Sequence, residues 1–298
     1  MDGGFAKKRQ YNKKHCSPLN NKTNYSCLSK KSIHIIATAL NKIQGIHINK
    51  KGLSDKMLYD NISNVIKTNF NCKTEACWLN IRKLMNNLSN KDANYFRRHF
   101  RPIMPKDIID DYTKWISNYD IEAVLNQYHQ ENSSIYSYGA VPIDFKNCNV
   151  SSDLCKINII NHLQKKENKL CIVFNTDNSS GSGEHWMSLF IDILGKNLGG
   201  QPGIYFFDSF GNEPMDQIKE LIEKIKLQGK DKSIEFIVSN NKKSYQHNNF
   251  SCGFYCMHFL EHMIQGYSFK KYLNSGLNDK KMIKYRSQCY LDPKEIKC

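Results

Sequence analysis

The stretch that decides the fold reads QHNNFSCGFYCMHFLEHMI and spans residues 246–264. It follows the apolar run 234–238, and its second half, 254–264, is helix-like. This order predicts a strand, a polar loop and then a helix whose first turn carries Cys252. Unpaired backbone N–H groups and the helix dipole favour a thiolate at such a position. The sequence therefore predicts a reactive cysteine at Cys252.

Two upstream residues can complete a nucleophilic site with this thiol. His185 stands at the start of a strand-like run, and Asp208 stands at the end of the next one. An imidazole takes the thiol proton and returns it to the leaving amine, while a carboxylate fixes the tautomer of the imidazole. Gln246, six residues before Cys252, is close enough to help the Cys252 N–H stabilise an oxyanion. The set predicts a cysteine protease.

Each of these residues alone has a more ordinary explanation. A single cysteine is more often buried and inert than catalytic. Asp208, before Ser209, could start a turn, and Gln246 could be solvated in a polar loop. Because His185, Asp208 and Cys252 all lie at the ends of predicted elements, the complete set favours catalysis over the separate explanations.

The three segments resemble the His, Asp and Gln-x5-Cys-Gly boxes of the adenovirus-proteinase and SUMO-protease superfamily of cysteine proteases. They are residues 184–187, 208–210 and 246–253, and their order along the chain is also that of the superfamily. Within it, the chain is most similar to polyprotein-processing proteases of large nucleocytoplasmic DNA viruses, such as that of African swine fever virus. Further marks of this viral group are SCLSKK at 26–31, CWL at 77–79 and PIDF at 142–145.

The resemblance implies an endopeptidase that cuts viral structural polyprotein precursors at Gly-Gly-containing sites during virion maturation, in the virion and the host cytoplasm. Cellular relatives act on ubiquitin-like tails that end in Gly-Gly, so a deubiquitinase or SUMO-type isopeptidase is the alternative. Asp208 follows the SUMO proteases, whereas the African swine fever enzyme has Asn and the adenoviral enzyme has Glu at this position. We expect Trp186 to cover the catalytic residues or to line a glycine channel, although a core tryptophan would look the same in sequence.

The periodicity of apolar residues predicts the domain organisation. Helical spacing in several runs indicates a helical accessory domain over residues 26–105, and two prolines near its end mark a boundary. We expect a basic mobile tail over 1–25 and the catalytic core over 106–298. Strand-like runs, with a helical stripe between the last two, predict an α+β core with a central, mostly antiparallel sheet flanked by helices. These runs are 170–174, 186–194, 204–207 and 234–238.

Composition limits the remaining classes. With 298 residues and 40% hydrophobic content, the chain can bury a sizeable core. Its eleven cysteines are odd in number and irregularly spaced, which predicts free thiols in a reducing compartment. The cysteine spacing predicts no metal site, and the lack of an 18-residue apolar run predicts no membrane insertion. Cys256, one turn after Cys252, is expected to be a packing residue.

The net charge of +15 allows non-specific binding to DNA without base reading. The basic residues include Lys7, Lys8 and Arg9, but solvated faces of a Lys-rich and Asn-rich chain explain the charge better. A DNA-binding virion protein on a protease-like scaffold is the non-enzymatic alternative. The chemistry requires no cofactor, and the resemblance allows activation by DNA or by a viral peptide. The sequence is silent on oligomeric state.

Overall fold

The computed structural model describes residues 15–18 and 23–297, which form two compact units. The second unit is Pro105–Arg286, and the first comprises the described residues up to Met104 together with those from Ser287. Most of the predicted basic tail, including Lys7, Lys8 and Arg9, lies outside the described residues. The mobile tail therefore stays a prediction.

The segment after Arg286 pairs with the first unit through its backbone. The Met104 N–H donates to the Leu291 carbonyl over 2.8 Å, and the Leu291 N–H donates to the Pro102 carbonyl over 2.8 Å. The apolar pattern of the sequence predicts instead that these residues belong to the core at 106–298. The difference arises because one backbone pairing between distant segments leaves no periodic signal in the sequence.

Up to Met104, the described residues form four α-helices, and three of these directly follow an N-cap serine. The hydroxyls of Ser29, Ser54 and Ser89 each accept an N–H of the first turn, which pairs a donor that the helix itself leaves free. The apolar faces of the helices share one buried core. The helices are α1 (Lys30–Leu40), α2 (Asp55–Phe70), α3 (Arg82–Met85) and α4 (Asn90–Arg97), with a 3₁₀ helix at Ala76–Asn80. The predicted N-terminal helical region is confirmed.

In the second unit, further helices surround a central sheet. Ser117 and Asp120 form a capping box at the start of one of them, where each side chain accepts the backbone N–H of the other residue. The helix that begins at Cys252 is apolar on nearly all sides, as expected for a helix in the core. The helices are α5 (Lys106–Asp110), α6 (Asn118–Glu131), α7 (Ile159–Gln164), α8 (Asp216–Lys230), α9 (Cys252–Ile264), α10 (Phe269–Leu273) and α11 (Asp279–Cys289).

Five strands form one sheet in the order β1-β2-β3-β4-β5. The central pairings, β2 with β3 and β3 with β4, are antiparallel, whereas β1 pairs with β2 and β4 with β5 in parallel. Parallel neighbours need a crossover, which α7 and α8 supply. The α+β class is confirmed, with a mixed sheet whose antiparallel part is central. The strands are Ile135–Val141, Lys169–Asn175, Trp186–Asp192, Gly203–Phe207 and Ile237–Asn240.

Both faces of the sheet are covered. One face packs against α8 in an aliphatic cluster that includes Ile191, Ile204 and Ile222. On the other face, the ring of Phe207 stacks on that of Phe259 in α9, with centroids 5.2 Å apart. Every residue of β2, β3 and β4 is consequently buried. This packing holds α9 against the sheet.

Within residues 15–18 and 23–297, three cysteine pairs form disulfides, and the prediction of free thiols is wrong for them. They are Cys16–Cys27, Cys72–Cys77 and Cys148–Cys155, with Cα atoms 5.1, 5.7 and 5.3 Å apart. Folding brings these residues together, and their spacing in sequence did not reveal it. The argument for a reducing compartment loses its basis. Cys171, Cys252 and Cys256 are free thiols, as predicted.

The described residues contain neither a membrane-spanning helix nor a metal-binding cluster. Over 15–18 and 23–297, no helix has the length and apolar character needed to cross a bilayer. The same part of the chain contains no cluster of three or more His, Cys, Asp or Glu side chains suited to hold a metal ion.

Candidate active site

Cys252 is the first residue of α9 and is 2% exposed. Ser251 precedes it without capping the helix by its side chain, so the first amides of α9 are not paired by that hydroxyl. Gly253 lets the helix start in close contact with its neighbours. A Cβ at Gly253 would lie 2.6 Å from Ile116 Cδ1 and 3.3 Å from Trp186 Cδ1. The thiol is therefore held at a helix N-terminus, where the dipole favours negative charge.

His185 and Asp208 meet at one edge of the sheet because β3 and β4 are antiparallel. His185 directly precedes β3 and Asp208 directly follows β4. His185 Nε2 lies 2.6 Å from Asp208 Oδ1. Cys252 lies near enough to the ring to raise the pKa of His185. Because Nε2 faces the carboxylate, Nδ1 is the nitrogen left for the thiol. The structure thus brings His185, Asp208 and Cys252 together.

The Asp208 carboxylate is completely buried and is held by backbone donors. The Phe210 N–H donates to Oδ1 over 3.0 Å, and the Asn212 N–H donates to Oδ2 over 3.2 Å. Burial alone would raise the pKa of Asp208, but the hydrogen bonds and the charge of His185 lower it below its usual value. The group is therefore a carboxylate that faces the imidazole.

His185 keeps its proton at neutral pH. Burial alone would lower the pKa of His185, but its hydrogen bonds to Asp208 and Cys252 and the charges of both raise it to about 9. The ring of Phe210 stacks on the imidazole with centroids 4.8 Å apart. An imidazolium fixed in this way is the partner that a thiolate needs.

Gln246 is 2% exposed and is held at both ends of its amide. Its Oε1 accepts the Ser209 hydroxyl over 2.6 Å, and its Nε2 donates to the Asn248 carbonyl over 2.7 Å. An amide nitrogen carries two protons, so a second one remains for a ligand. Ser209 directly follows Asp208, and the Gln246 loop is thereby tied to the end of β4. The oxyanion role of Gln246 stays a prediction.

Trp186, the first residue of β3, is 7% exposed and contacts the segment before α6. Its Nε1 donates to the Ile116 carbonyl over 3.2 Å, and its ring lies beside Gly253. Trp115, next to Ile116, is 42% exposed. These contacts place Trp186 next to the first turn of α9. Its role in substrate binding stays a prediction.

Cys256, one turn after Cys252, is completely buried. Burial raises the pKa of the Cys256 thiol well above its usual value, and Cys252 and Asp208 add to this effect. Ser188 of β3 opposes this rise only in part. These surroundings are those of a packing residue.

Sequence reasoning missed residues that hold the site from a distance. Asn241 accepts the Asp208 N–H at Oδ1 over 3.0 Å and donates from Nδ2 to the Asp208 carbonyl over 2.6 Å. Asn248 accepts the N–H groups of Phe250 and Ser251, both over 3.0 Å. An Asn two residues before a backbone donor is a known turn signal and could have identified Asn248. Asn241 carries no such local signal.

Comparisons with known proteins show which family this chain resembles. The sequence profile of the Ulp1 protease family, C-terminal catalytic domain, matches residues 144–298, more than half of the chain. A protein of Acanthamoeba polyphaga mimivirus that is named a thiol protease is 31% identical over 167 residues, 56% of this chain. The chain spans about half the length of that relative, 53%.

African swine fever virus supplies a second relative and a solved structure. Its cysteine protease (strain Badajoz 1971 Vero-adapted) is 22% identical over 191 residues, which cover 60% of this chain and 68% of the relative. A selenomethionine crystal structure of the African swine fever virus protease superposes with a TM-score of 0.63 at 19% identity. The superposition covers 94% of this chain and 98% of that one, and it shows that the two share a fold.

Proposed function

This chain belongs to the Ulp1 protease family, and we propose that it is a viral cysteine endopeptidase that cuts structural polyprotein precursors at Gly-Gly-containing sites during virion maturation. The resemblance drawn from the sequence motifs is confirmed. The observation that carries the proposed activity is the contact among Cys252, His185 and Asp208 at the start of α9. We also propose that the enzyme acts in the virion and in the host cytoplasm.

The first half of the reaction forms an acyl-enzyme. The Cys252 thiolate attacks the carbonyl carbon of the scissile peptide, and the carbonyl oxygen becomes an oxyanion. We propose that the Cys252 N–H and the second N–H of the Gln246 amide donate hydrogen bonds to this oxyanion. As the C–N bond breaks, the His185 imidazolium gives its proton to the leaving amine. A thioester to Cys252 and a neutral His185 remain.

The second half restores the enzyme. Neutral His185 takes a proton from water as the oxygen attacks the thioester carbonyl. The tetrahedral intermediate expels the Cys252 thiolate, and the acid product leaves. Asp208 stays ionised throughout because its pKa is lowered, and its carboxylate faces a ring that is charged in the resting enzyme and neutral in the acyl-enzyme. No step needs a resident cofactor, and we propose that DNA or a viral peptide acts only as an activator.

The glycine preference in this proposal comes from the resemblance and from the crowding at the thiol. Trp186 and Ile116 approach Gly253 closely, and Cys252 is almost fully covered. Glycine is the residue that lets a substrate backbone approach such a site most closely. These contacts support a substrate with small residues at the scissile bond.

A SUMO-type isopeptidase, or more broadly a deubiquitinase, is the second candidate. A relative from African swine fever virus (isolate Warthog/Namibia/Wart80/1980) is named a SUMO-1 cysteine protease. Gly-Gly peptides from viral precursors and ubiquitin-like C-terminal fusions separate the two candidates. A preference for the folded fusion over the peptide would replace the leading proposal with the second.

A glycine-terminated electrophilic probe, mapped by mass spectrometry, tests both nucleophile and specificity. We expect labelling of Cys252 in the wild-type protein, none in Cys252→Ala, and strongly reduced labelling in His185→Ala. Cys256→Ala is the matched control, because it removes a buried thiol one turn away and should keep the label. Labelling of another cysteine, or unchanged cleavage of Gly-Gly peptides by Cys252→Ala, would reject the assignment.

A further inference from the structure

We propose that Asp279, the first residue of α11, is a positioning residue for the oxyanion loop, which we define as residues 246–251. This inference rests on the proposed function, because it concerns the step in which the scissile carbonyl gains negative charge. Asp279 follows the loop by more than 25 residues in sequence and belongs to none of the motifs described above.

The two carboxylate oxygens of Asp279 join the oxyanion loop to α9. Oδ2 accepts the N–H of His247 over 3.0 Å and that of Asn248 over 2.9 Å. Oδ1 accepts the hydroxyl of Tyr255, in the first turn of α9, over 3.1 Å. Hydrogen bonds to an ionised acceptor are roughly twice as strong as neutral ones. One side chain therefore fixes both the loop and the helix that carries Cys252.

Tyr255 is suited to this contact because it keeps its proton. Burial and the neighbouring Asp279 carboxylate raise the pKa of Tyr255. Its hydroxyl also lies 2.8 Å from the Tyr245 carbonyl, directly before the oxyanion loop. The same phenol thus contacts Asp279 and the chain that enters the loop.

Asn248 extends the constraint to the residues that flank the nucleophile. Its Oδ1 accepts the N–H groups of Phe250 and Ser251, both over 3.0 Å. Its carbonyl accepts Nε2 of Gln246 over 2.7 Å. Because Asp279 holds the Asn248 backbone, it sets the position of the Gln246 amide and of the peptide before Cys252.

Two polar side-chain atoms of the oxyanion loop are buried and unpaired. Among the described residues, Asn248 Nδ2 and Ser251 Oγ have no hydrogen-bond partner. A buried donor without a partner costs free energy. The hydrogen bonds from the loop backbone to Asp279 offset part of that cost.

A first-turn carboxylate also stabilises its own helix, which is the ordinary explanation for Asp279. Asp216 provides a matched control, because it occupies the first turn of α8 and bonds to Lys219 of the same helix over 3.0 Å. If only the helix dipole matters, Asp279→Asn and Asp216→Asn should behave alike.

Kinetics of Asp279→Asn on a Gly-Gly peptide test the positioning role. We expect kcat to fall roughly 10- to 10²-fold, as for a displaced catalytic group, with KM within about twofold of wild type. The rate of Cys252 alkylation by iodoacetamide should stay within about twofold, because the contact with His185 does not involve the loop. Asp216→Asn should match wild type in all three. Unchanged kcat in Asp279→Asn, or an equal fall in kcat and alkylation, would overturn the proposal.

Hydrogen exchange separates this proposal from the proposed function. Backbone amides of residues 247–251 should exchange faster in Asp279→Asn than in Asp216→Asn, whether or not the protein cleaves a peptide. Equal exchange in the two variants overturns the positioning role. Absence of cleavage by the wild-type protein would overturn the proposed function alone. If Asp279→Asn does not fold, Tyr255→Phe removes one contact of the carboxylate and is measured in the same way.

Discussion

At the residue scale, the carboxylate beside His185 decides which protonation state the site keeps. In Asp208→Asn, we expect the pKa of His185 to fall from about 9, because a charge and a charged hydrogen bond that raise it are lost. The kcat should drop by about 10²- to 10⁴-fold. Titration of the His185 ring proton by NMR measures the first effect and peptide cleavage the second. Asp231→Asn, an exposed acid at the end of α8, is the control.

The same change should alter how stability depends on pH. The folded pKa of His185, about 9, exceeds the usual value of about 6.5, so its contribution is complete below about pH 6.5 and is lost as pH rises through about 9. The pKa of Asp208 is lowered, so its contribution is present above about pH 4 and is lost on acidification. The Tm difference between wild type and Asp208→Asn should therefore shrink at both ends. A difference independent of pH would contradict this reasoning.

Residues with their own local motif could be predicted from the sequence, and residues that act through the fold could not. Cys252 and His185 stand beside recognisable strand and helix signals. Asn241 contacts Asp208 across 33 positions, and Asp279 contacts Asn248 across 31. Such contacts exist only once β4, β5 and α11 are assembled. A single sequence contains no periodicity that reports them.

At the element scale, the start of α9 depends on the missing side chain at Gly253. In Gly253→Ala, the new Cβ would lie 2.6 Å from Ile116 Cδ1, closer than ordinary contacts allow. Alanine favours a helix by up to about 1 kcal/mol, but overpacking costs about 1–3 kcal/mol. We expect a net loss of stability of about 1 kcal/mol and reduced cleavage, since Ile116 also holds Trp186. Chemical denaturation and peptide kinetics measure the two effects.

The double variant Gly253→Ala with Ile116→Ala identifies the cause. Removing the Ile116 side chain beyond Cβ makes room for the new methyl. The double variant should therefore lose less stability than the sum of the losses in the two single variants. Additive losses would mean that Gly253 is needed for a reason other than contact with Ile116.

The sequence predicts some strands more accurately than others, and the reason lies in how each strand is buried. The run 170–174 lies within β2, and the run 204–207 covers all of β4 except its first residue. Both strands were predicted well because they are continuous apolar runs that are fully buried. The run 234–238 overlaps only the start of β5, which pairs from Ile237 with Gly203. Its first residues pack into the core without pairing. Strand β1 was missed because half-buried positions interrupt its apolar pattern.

At the scale of the whole molecule, cysteine count and spacing were poor guides. The odd number of cysteines suggests that Cys148 and Cys155 are free thiols. The turns between β1 and α7 nevertheless bring their Cα atoms to within 5.3 Å of each other. The chain after Arg286 joined the first unit for a similar reason, since its backbone pairs with Pro102. Contacts between residues distant in sequence determine both the disulfides and the backbone pairing after Arg286. Composition contains no information about which residues make such contacts.

Net charge, by contrast, acts over the whole molecule and leads to a prediction from sequence alone. If the charge of +15 supports DNA binding rather than only solvated faces, the affinity for duplex DNA should fall steeply with salt and should not depend on sequence. If the basic tail makes the contacts, Lys7→Gln, Lys8→Gln and Arg9→Gln together should reduce the slope of log K against log salt by up to roughly 3. Fluorescence anisotropy on two unrelated duplexes measures the slope.

A second triple variant distinguishes a binding tail from a diffuse positive charge. Lys165→Gln, Lys166→Gln and Lys232→Gln remove the same number of charges from exposed positions in the second unit. Weaker salt dependence in the tail variant alone would locate DNA binding there, because counterion release counts only the phosphates that a cation contacts. Equal slopes in the two variants would mean that the charge is spread over solvated faces. Peptide cleavage with and without DNA, in both variants, then shows whether binding activates the enzyme or only holds it near its substrate.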